Sequence, residues 1–439
     1  MAEQEPATNP DTPEFAIPTA NRVPVSNYPE QMTTIPPSQM FMIKEALAKY
    51  HEKVGDPTAG YDVSQGDGGK SLGGVPREVL DRAHQLQIEH GTGYDKPFGT
   101  PLFRQVTAEQ YWKLDAASGW GPENIIFAQG GRDGLNKAYQ AMTLLGTGQN
   151  GGAVVVSRVP WLSYVWGAYG LGLNVMHAPG QEEEGWRFTE DGIHACAELA
   201  AREDRKMAAL IITSPDNPTG RTLSEEEQIE LAHTALEAGY AYVLFDWMYH
   251  WVTDSGPTNI NIILQAFSSE ERKRLIFLDG ITKSLGGSNI RGAHLLADKA
   301  VIDHIDNQAS HGLIPSFYAQ AVAIAAYEMG FEKASAAIVE PTRQSRRWLR
   351  DYLGGTGAPF IIGDGYYAFI DIGKYIEASA FKNSSDIGPW LAEEHGVAVV
   401  PGVYFSQAAA NWVRFSYALA PERTEKAATQ LFRALESLL

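Results

Sequence analysis

Along the middle of the chain, short unbroken apolar runs stop abruptly at polar or glycine-rich turns. Ile125–Ala128, Ala153–Val156, Met207–Ile212, Tyr242–Phe245 and Leu275–Leu278 all have this form. Runs of this length bounded by turn residues read as buried strands. Between about Gly74 and Pro315 they alternate with helical patterns, which predicts an α/β architecture: a mostly parallel sheet covered by helices on both faces. Met40 to His51 repeats its apolar residues at intervals of three and four and reads as a helix. Phe317 to Tyr352 reads as one long helical stretch leading into a smaller α+β C-terminal domain that carries Tyr366–Ile372 and Arg414. The predicted organisation is an extended or partly disordered N-terminal arm (1–39), a helix and segment packing on the small domain (40–73), a large domain (74–316), and a linking helix with the small domain (317–439). The arm is rich in Pro, Thr, Asn and Glu, and its inner part, Asn27–Met32, is placed to fold over a site. No internal repeat is visible.

Three successive strands end in polar residues. Met207–Thr213 breaks into Ser214-Pro215-Asp216-Asn217-Pro218-Thr219-Gly220, Asp246 and Tyr249 follow the second, and Lys283 and Arg291 follow the third. Ligands of open parallel sheets collect outside the carboxyl ends of the strands, so these residues point at one crevice. A partly desolvated lysine flanked by a cation such as Arg291 can act as a Schiff-base nucleophile. A loop lysine and a surface arginine are the bland alternative. Asn124 to Met142 supplies a strand, a tight turn at Gly130 and Gly131, and a helix whose free N–H groups suit a phosphate. Arg132 and Asp133 would serve it chiefly through their amides, because the Asp133 charge opposes a dianion.

Asn217-Pro218-Thr219-Gly220, Asp246-x-x-Tyr249, Lys283 and Arg291 eight positions later together resemble the aspartate aminotransferase family of fold-type I pyridoxal phosphate enzymes. The resemblance covers nearly all of the chain after the first ~40 residues. It implies that Lys283 bears pyridoxal 5'-phosphate and shuttles the substrate proton, that Asp246 faces the ring nitrogen, and that Asn217 and Tyr249 donate to the phenolate oxygen. It implies further that Gly131, Arg132, Asp133, Thr282 and Arg291 hold the phosphate and that Trp161 stacks on the ring. Substrate binding would fall to Arg414, through two parallel hydrogen bonds to an α-carboxylate, together with Asn217 and Trp161. Tyr94, in Gly93 to Arg104, would reach the phosphate of a neighbouring subunit, which implies a homodimer with shared sites. As local alternatives, Asn217 can set an Asx turn, Tyr249 and Trp161 can be ordinary core aromatics, and Arg414 can be an edge-strand residue in water.

The chain departs from the pattern in places. A hydroxyl residue is common three before the lysine, and here stands Gly280, with Thr282 as a possible substitute. Trp247 follows the ring-facing aspartate, with Trp251 close behind. Gln308 falls near the place of a second arginine in aspartate-specific members, which argues mildly against a dicarboxylic substrate. The formal charge of −18 disfavours nucleic acid and anionic membranes as partners. No apolar run approaches a membrane span. The single cysteine, Cys196, permits no internal disulfide, and no export signal is visible, so a cytoplasmic location is expected. The expected activity is amino transfer between an α-amino acid and a 2-oxo acid. Lyase, decarboxylase, oxidase and cyclase chemistry on the same residues stays open, and an aminotransferase-like ligand-sensing module is a third reading that lacks its basic DNA-binding segment.

Overall fold

The structure, a computed structural model, describes Thr19–Ala20, Ile35 and residues 37–439. The rest of the arm, including the Asn27–Met32 segment expected near the site, lies outside the described residues. Fourteen strands are formed among the described residues. They are β1 (Thr19–Ala20), β2 (Tyr61–Asp62), β3 (Ile125–Ala128), β4 (Ala153–Val156), β5 (Asn174–His177), β6 (Met207–Thr213), β7 (Tyr242–Asp246), β8 (Leu275–Gly280), β9 (Ala293–Ala297), β10 (Phe360–Ile362), β11 (Tyr367–Asp371), β12 (Val397–Ala398), β13 (Val400–Pro401) and β14 (Trp412–Ser416).

Eight of them build one sheet in the order β1-β5-β4-β6-β7-β8-β9-β3. The pairs from β5 through β4, β6 and β7 to β8 are parallel, while β9 runs antiparallel to both β8 and β3, and β1 antiparallel to β5. The apolar runs are explained by burial on both faces. Ile125, Phe127, Val155, Leu210, Val243, Phe245 and Phe277 point into one core with the Phe317–Glu328 helix, whereas Ile126, Val154, Ile211, Leu244 and Ile276 point into the other with the Gly131–Ala141 and Leu162–Gly170 helices. Successive side chains of a strand alternate between faces, so a strand with two covered faces has no polar positions to show. Cys196 lies in the first core, where burial pushes its thiol up to about 12. No described helix is long and apolar enough to cross a membrane.

The C-terminal part forms a second, antiparallel sheet, β10-β11-β14-β13. The Met40–Val54 helix sends Ile43, Ala46 and Leu47 into its core, and β2 pairs with β12, so the residues before the large sheet are tied to the small one. The single helical stretch read from Phe317 to Tyr352 is in fact two helices, Phe317–Glu328 and Phe331–Gly354. They part at Gly330, whose φ of 88° leaves the helical region and is open to glycine at little cost. Arg346 in the second helix is fully buried. It donates to the carbonyls of Val252 at 3.0 Å and Asp364 at 2.7 Å and pairs with Asp254 at 2.6 Å, so it fastens the turn after β7 to the turn before β11.

Gly280 ends β8 opposite Ala293 of β9, and a Cβ there would lie 2.5 Å from the Ala293 Cα and 2.6 Å from the Gly292 carbonyl oxygen. The neighbour is backbone, so the two strands would have to part. Gly280→Ser should therefore lower the stability of the protein by about 1–3 kcal/mol, the usual cost of overpacking, read as a lower denaturation midpoint. An unchanged midpoint would mean that the β8–β9 pair yields freely.

Candidate active site

Lys283, Asp246, Asn217 and Arg414 line one cavity of about 420 Å³ at the carboxyl ends of β6, β7 and β8, closed on the other side by the small sheet. Lys283 stands three residues past β8. Its Nζ donates to the Gly66 carbonyl at 2.5 Å and lies 5.8 Å from the centre of the Tyr249 ring.

Asp246 is the last residue of β7 and is buried. Its Oδ2 accepts from the Tyr164 hydroxyl at 2.7 Å and its Oδ1 from the Met248 N–H at 3.1 Å, and Tyr164 in turn accepts from the Thr213 hydroxyl at 2.9 Å. Burial pushes the carboxyl up to about 6, against the opposing effect of the Tyr164 and Met248 hydrogen bonds, with the Asp279 charge adding to the rise. All of its hydrogen-bond donors are neutral, so the carboxylate is left without a countercharge.

At the start of the Gly131–Ala141 helix, Gly130 has a φ of 88°, and the space its side chain would fill is taken by the Arg291 guanidinium. Gly131, Arg132, Thr282 and Arg291 all face the cavity. The Thr282 hydroxyl is buried without a partner, although no hydroxyl stands at position 280. A buried hydroxyl, an arginine and a helix start form a cradle that can take a phosphate. Asp133 is not part of the lining. Its Oδ2 accepts from the Gln129 N–H at 2.7 Å and from Lys137 Nζ at 2.8 Å, so the opposing charge is turned back on its own helix and neutralised there.

Arg414 is interior, not an edge residue in water: β14 lies between β11 and β13, with Phe369 and Val400 opposite the arginine. Its Nη1 donates to Asn217 Oδ1 at 2.6 Å and its Nη2 to the Ser64 carbonyl at 2.5 Å, while Nε is buried without a partner. The guanidinium lies 4.2 Å from the centre of the Tyr367 ring and 5.0 Å from that of Phe405. Tyr249 and Tyr367 meet hydroxyl to hydroxyl at 3.2 Å. Trp161 caps the Leu162–Gly170 helix, lines the cavity and carries the Arg132 guanidinium 5.6 Å from its ring centre.

Other residues singled out in the sequence lie elsewhere. Trp247 is wholly buried on the far side of the sheet, stacked on His250 and donating to Gln228 at 2.7 Å, because the turn after Asp246 sends alternate side chains to opposite faces. Trp251 packs edge-on against Phe331, away from the cavity. Gln308, in the Lys299–Ala309 helix, is not in the lining either. Tyr94 is 97% exposed on this chain and does not reach its cavity. Among the lining residues that escaped the sequence reading are Tyr164, Tyr367 and Gly66. Tyr367 lies two residues from the partner of Arg414 and so shares its face of the sheet, a signal that exists only once the register is known.

The family model for class I and II aminotransferases matches residues 62–431. This chain belongs to that family. Among curated relatives of this class I/II aminotransferase, the aspartate aminotransferase of Bacillus subtilis (strain 168) is 25% identical over 388 residues, covering 86% of this chain and 92% of the relative. The aspartate/prephenate aminotransferase of Thermus thermophilus is 28% identical over 370 residues, covering 82% and 88%. The solved structure of Thermus thermophilus aspartate aminotransferase with maleate shares the fold, with a TM-score of 0.76 at 24% identity over 92% of this chain and 97% of that one.

The raised carboxyl of Asp246 has a consequence for the apoprotein. A carboxyl whose pKa is higher folded than unfolded contributes stability that is complete below the unfolded value of 3.8 and lost as pH rises through about 6. Wild-type apoprotein should thus lose up to about 3 kcal/mol relative to Asp246→Asn between those limits. Denaturation midpoints of the two proteins across that range measure the difference, and parallel pH profiles would contradict the assigned shift.

Proposed function

We propose that this family member is a pyridoxal phosphate-dependent aminotransferase that exchanges the amino group of an α-amino acid with a 2-oxo acid. One observation carries the reading: a single cavity holds an amine at Lys283, a buried carboxylate without countercharge at Asp246, and a buried guanidinium with a free Nε at Arg414. The residues present fit the cofactor. The orphaned Thr282 hydroxyl, Arg291 and the N–H groups at Gly131 and Arg132 suit its phosphate, and Asp246 suits a protonated ring nitrogen. When bound, the cofactor supplies the electron sink that weakens the bonds to Cα.

The chain's own residues bind, orient and move protons. Tyr164 and the Met248 N–H fix the Asp246 carboxylate in one orientation, ready to hold a proton on the ring nitrogen. Asn217, with its Oδ1 committed to Arg414, keeps its Nδ2 for donation, and Tyr249 offers its hydroxyl; both serve the phenolic oxygen. Trp161, in the cavity lining, would cover the ring. Arg414 takes the α-carboxylate and, with Asn217 and Trp161, orients Cα toward Lys283. The Lys283 amine would hold the cofactor and, once free, would take and return the Cα proton. The enzyme works as a homodimer in the cytoplasm. Support comes from Tyr94, whose exposure on one chain suits a residue serving the partner's phosphate site, and from a chain with one buried cysteine.

Borohydride reduction of the cofactor-loaded protein, followed by peptide mapping, should place the pyridoxyl group on Lys283. Incubation with amino acids and 2-oxo acids should yield the exchanged pair, and Lys283→Ala should fold but not turn over. A label on another lysine would end the site assignment, and a product other than the exchanged pair would replace amino transfer with another reaction at Cα.

Arg414→Lys keeps the charge and loses the paired geometry. It should lower kcat/KM for amino acids at least about a hundredfold, roughly 2.7 kcal/mol at the transition state. Steady-state kinetics on an amino acid and on the amine lacking its carboxylate make the comparison, with only the amino acid affected. Normal turnover of amino acids by the variant would make Arg414 a structural residue.

A further inference from the structure

Arg221 is a second arginine with a buried donor that nothing satisfies. Its Nη1 donates to the Glu184 carbonyl at 2.7 Å, while among the described residues Nε, which is buried, and Nη2 have no partner. Nε and Nη2 form one edge of the guanidinium, a pair of parallel donors that matches a carboxylate, and a buried donor left unpaired costs free energy. Arg221 lines a chamber of about 40 Å³ walled by Val159, Trp186, Ile211 and Leu223. An ordered water takes up about 10–15 Å³ of such space, so the chamber holds about three non-hydrogen atoms, the size of a carboxylate head. Asp216 also faces the chamber, but its carboxylate is taken by its own turn: the Thr219 N–H at 3.2 Å, the Thr219 hydroxyl at 2.5 Å and the Asn217 N–H.

Arg187 and Arg221 line this chamber and also two outer shelves, of about 190 and 700 Å³. The smaller shelf is bordered by Glu190, Glu227 and Glu230 and is unsuited to an acid. The larger runs along β10, the edge strand of the small sheet, and presents Phe360, Ile361 and Ile362. The Glu184 carboxylate borders it too, held by Arg187 at 2.9 and 3.2 Å. Arg221 is also tied to the active cavity. Its carbonyl accepts the Asp216 N–H at 2.7 Å and so closes the turn that carries Asn217, whose Oδ1 holds Arg414. On either side of Arg221 the chain touches the small sheet: a Cβ at Gly220 would stand 2.1 Å from the Tyr367 carbonyl oxygen, and the Thr222 hydroxyl accepts the Asp364 N–H at 2.7 Å.

We propose that Arg221 anchors a second ligand site, which takes a small organic acid with its carboxylate in the chamber, on the Nε–Nη2 edge, and its apolar tail on the β10 shelf. The site itself stands apart from the aminotransferase reading, and only its effect on turnover rests on that reading. The carboxylate satisfies the orphaned donor and replaces whatever water the chamber holds, while the tail covers apolar surface of the edge strand. Because the ligand lies on residues of both sheets, it links the Asn217 turn to the small sheet from the outside. An acid bound there holds the seat of the small sheet over the cavity and slows the movements that turnover needs.

Isovalerate, a carboxylate with a branched apolar tail and no amino or oxo group, is the probe. Titration calorimetry on the cofactor-loaded protein should count two isovalerates per chain, one on Arg414 and one on Arg221. Arg221→Lys keeps the charge and loses the paired edge, so it should weaken one of the two events at least about tenfold, the effect of losing one charge-assisted hydrogen bond, and leave the other. Arg414→Ala should remove the other event and spare the first. Without the probe, Arg221→Lys should turn over amino acids as the wild type does. With it, isovalerate should lower kcat as well as raise KM in the wild type, and raise only KM in Arg221→Lys. If Arg221→Lys binds isovalerate as the wild type does, the Arg221 edge holds water alone and the proposal is overturned; equal loss of kcat in both proteins overturns the link to turnover. The two readings fail separately. An event that depends on Arg221 with none that depends on Arg414 sinks the carboxylate role of Arg414 and leaves this site standing.

Discussion

Arg414 and Asn217 join two sheets that share no strand. A guanidinium taken out of water is costly unless its donors are used, and Arg414 uses two of them on Asn217 Oδ1 from the large sheet's β6 turn and the Ser64 carbonyl. These bonds fix how the small sheet sits over the strand ends, and so they set the cavity's width. Both partners are neutral oxygens, so the positive charge remains. Across the cavity Asp246 is held in the same manner by neutral donors, and a negative charge remains there. Two buried and opposite charges, kept apart by the fold, make the cavity complementary to a molecule that brings an anion to one end and a cation to the other.

The linkage depends on support from behind. Arg346 ties the turns that carry Tyr249 and Tyr367, so the two hydroxyls at 3.2 Å are set by a residue that never enters the cavity. Asp133 provides a comparable service by pairing with Lys137, which keeps a carboxylate out of a corner built for an anion. The tight fit of Gly280 against the Ala293 backbone accounts for the missing hydroxyl there, and the buried Thr282 oxygen is available in its place.

Much of this was legible in the chain because burial on both faces leaves unbroken apolar runs, and because the residues after each run are polar for a reason. Lys283, Asp246, Tyr249, Asn217 and Arg291 all stand at such strand ends, and the structure brings them to one cavity. Trp247 is adjacent in sequence to Asp246 and for that reason lies on the opposite face. Tyr164 and Tyr367 were invisible for a related reason. Each meets its partner through a helix entry or a strand register, which no local pattern specifies. The break at Gly330 was hidden within a helical periodicity that continues on both sides of it.

Cys196 has no part in the cavity, yet it gives the molecule a useful chemical silence. The thiolate is the reactive form of cysteine, and this buried thiol, pushed up to about 12, presents almost none to solvent. A thiol reagent can therefore modify the chain only when the core between the sheet and the Glu190–Arg202 helix opens. With one sulfhydryl per chain, each alkylation event counts a single opening, and the mass of the intact protein becomes a clock for the breathing of its central sheet.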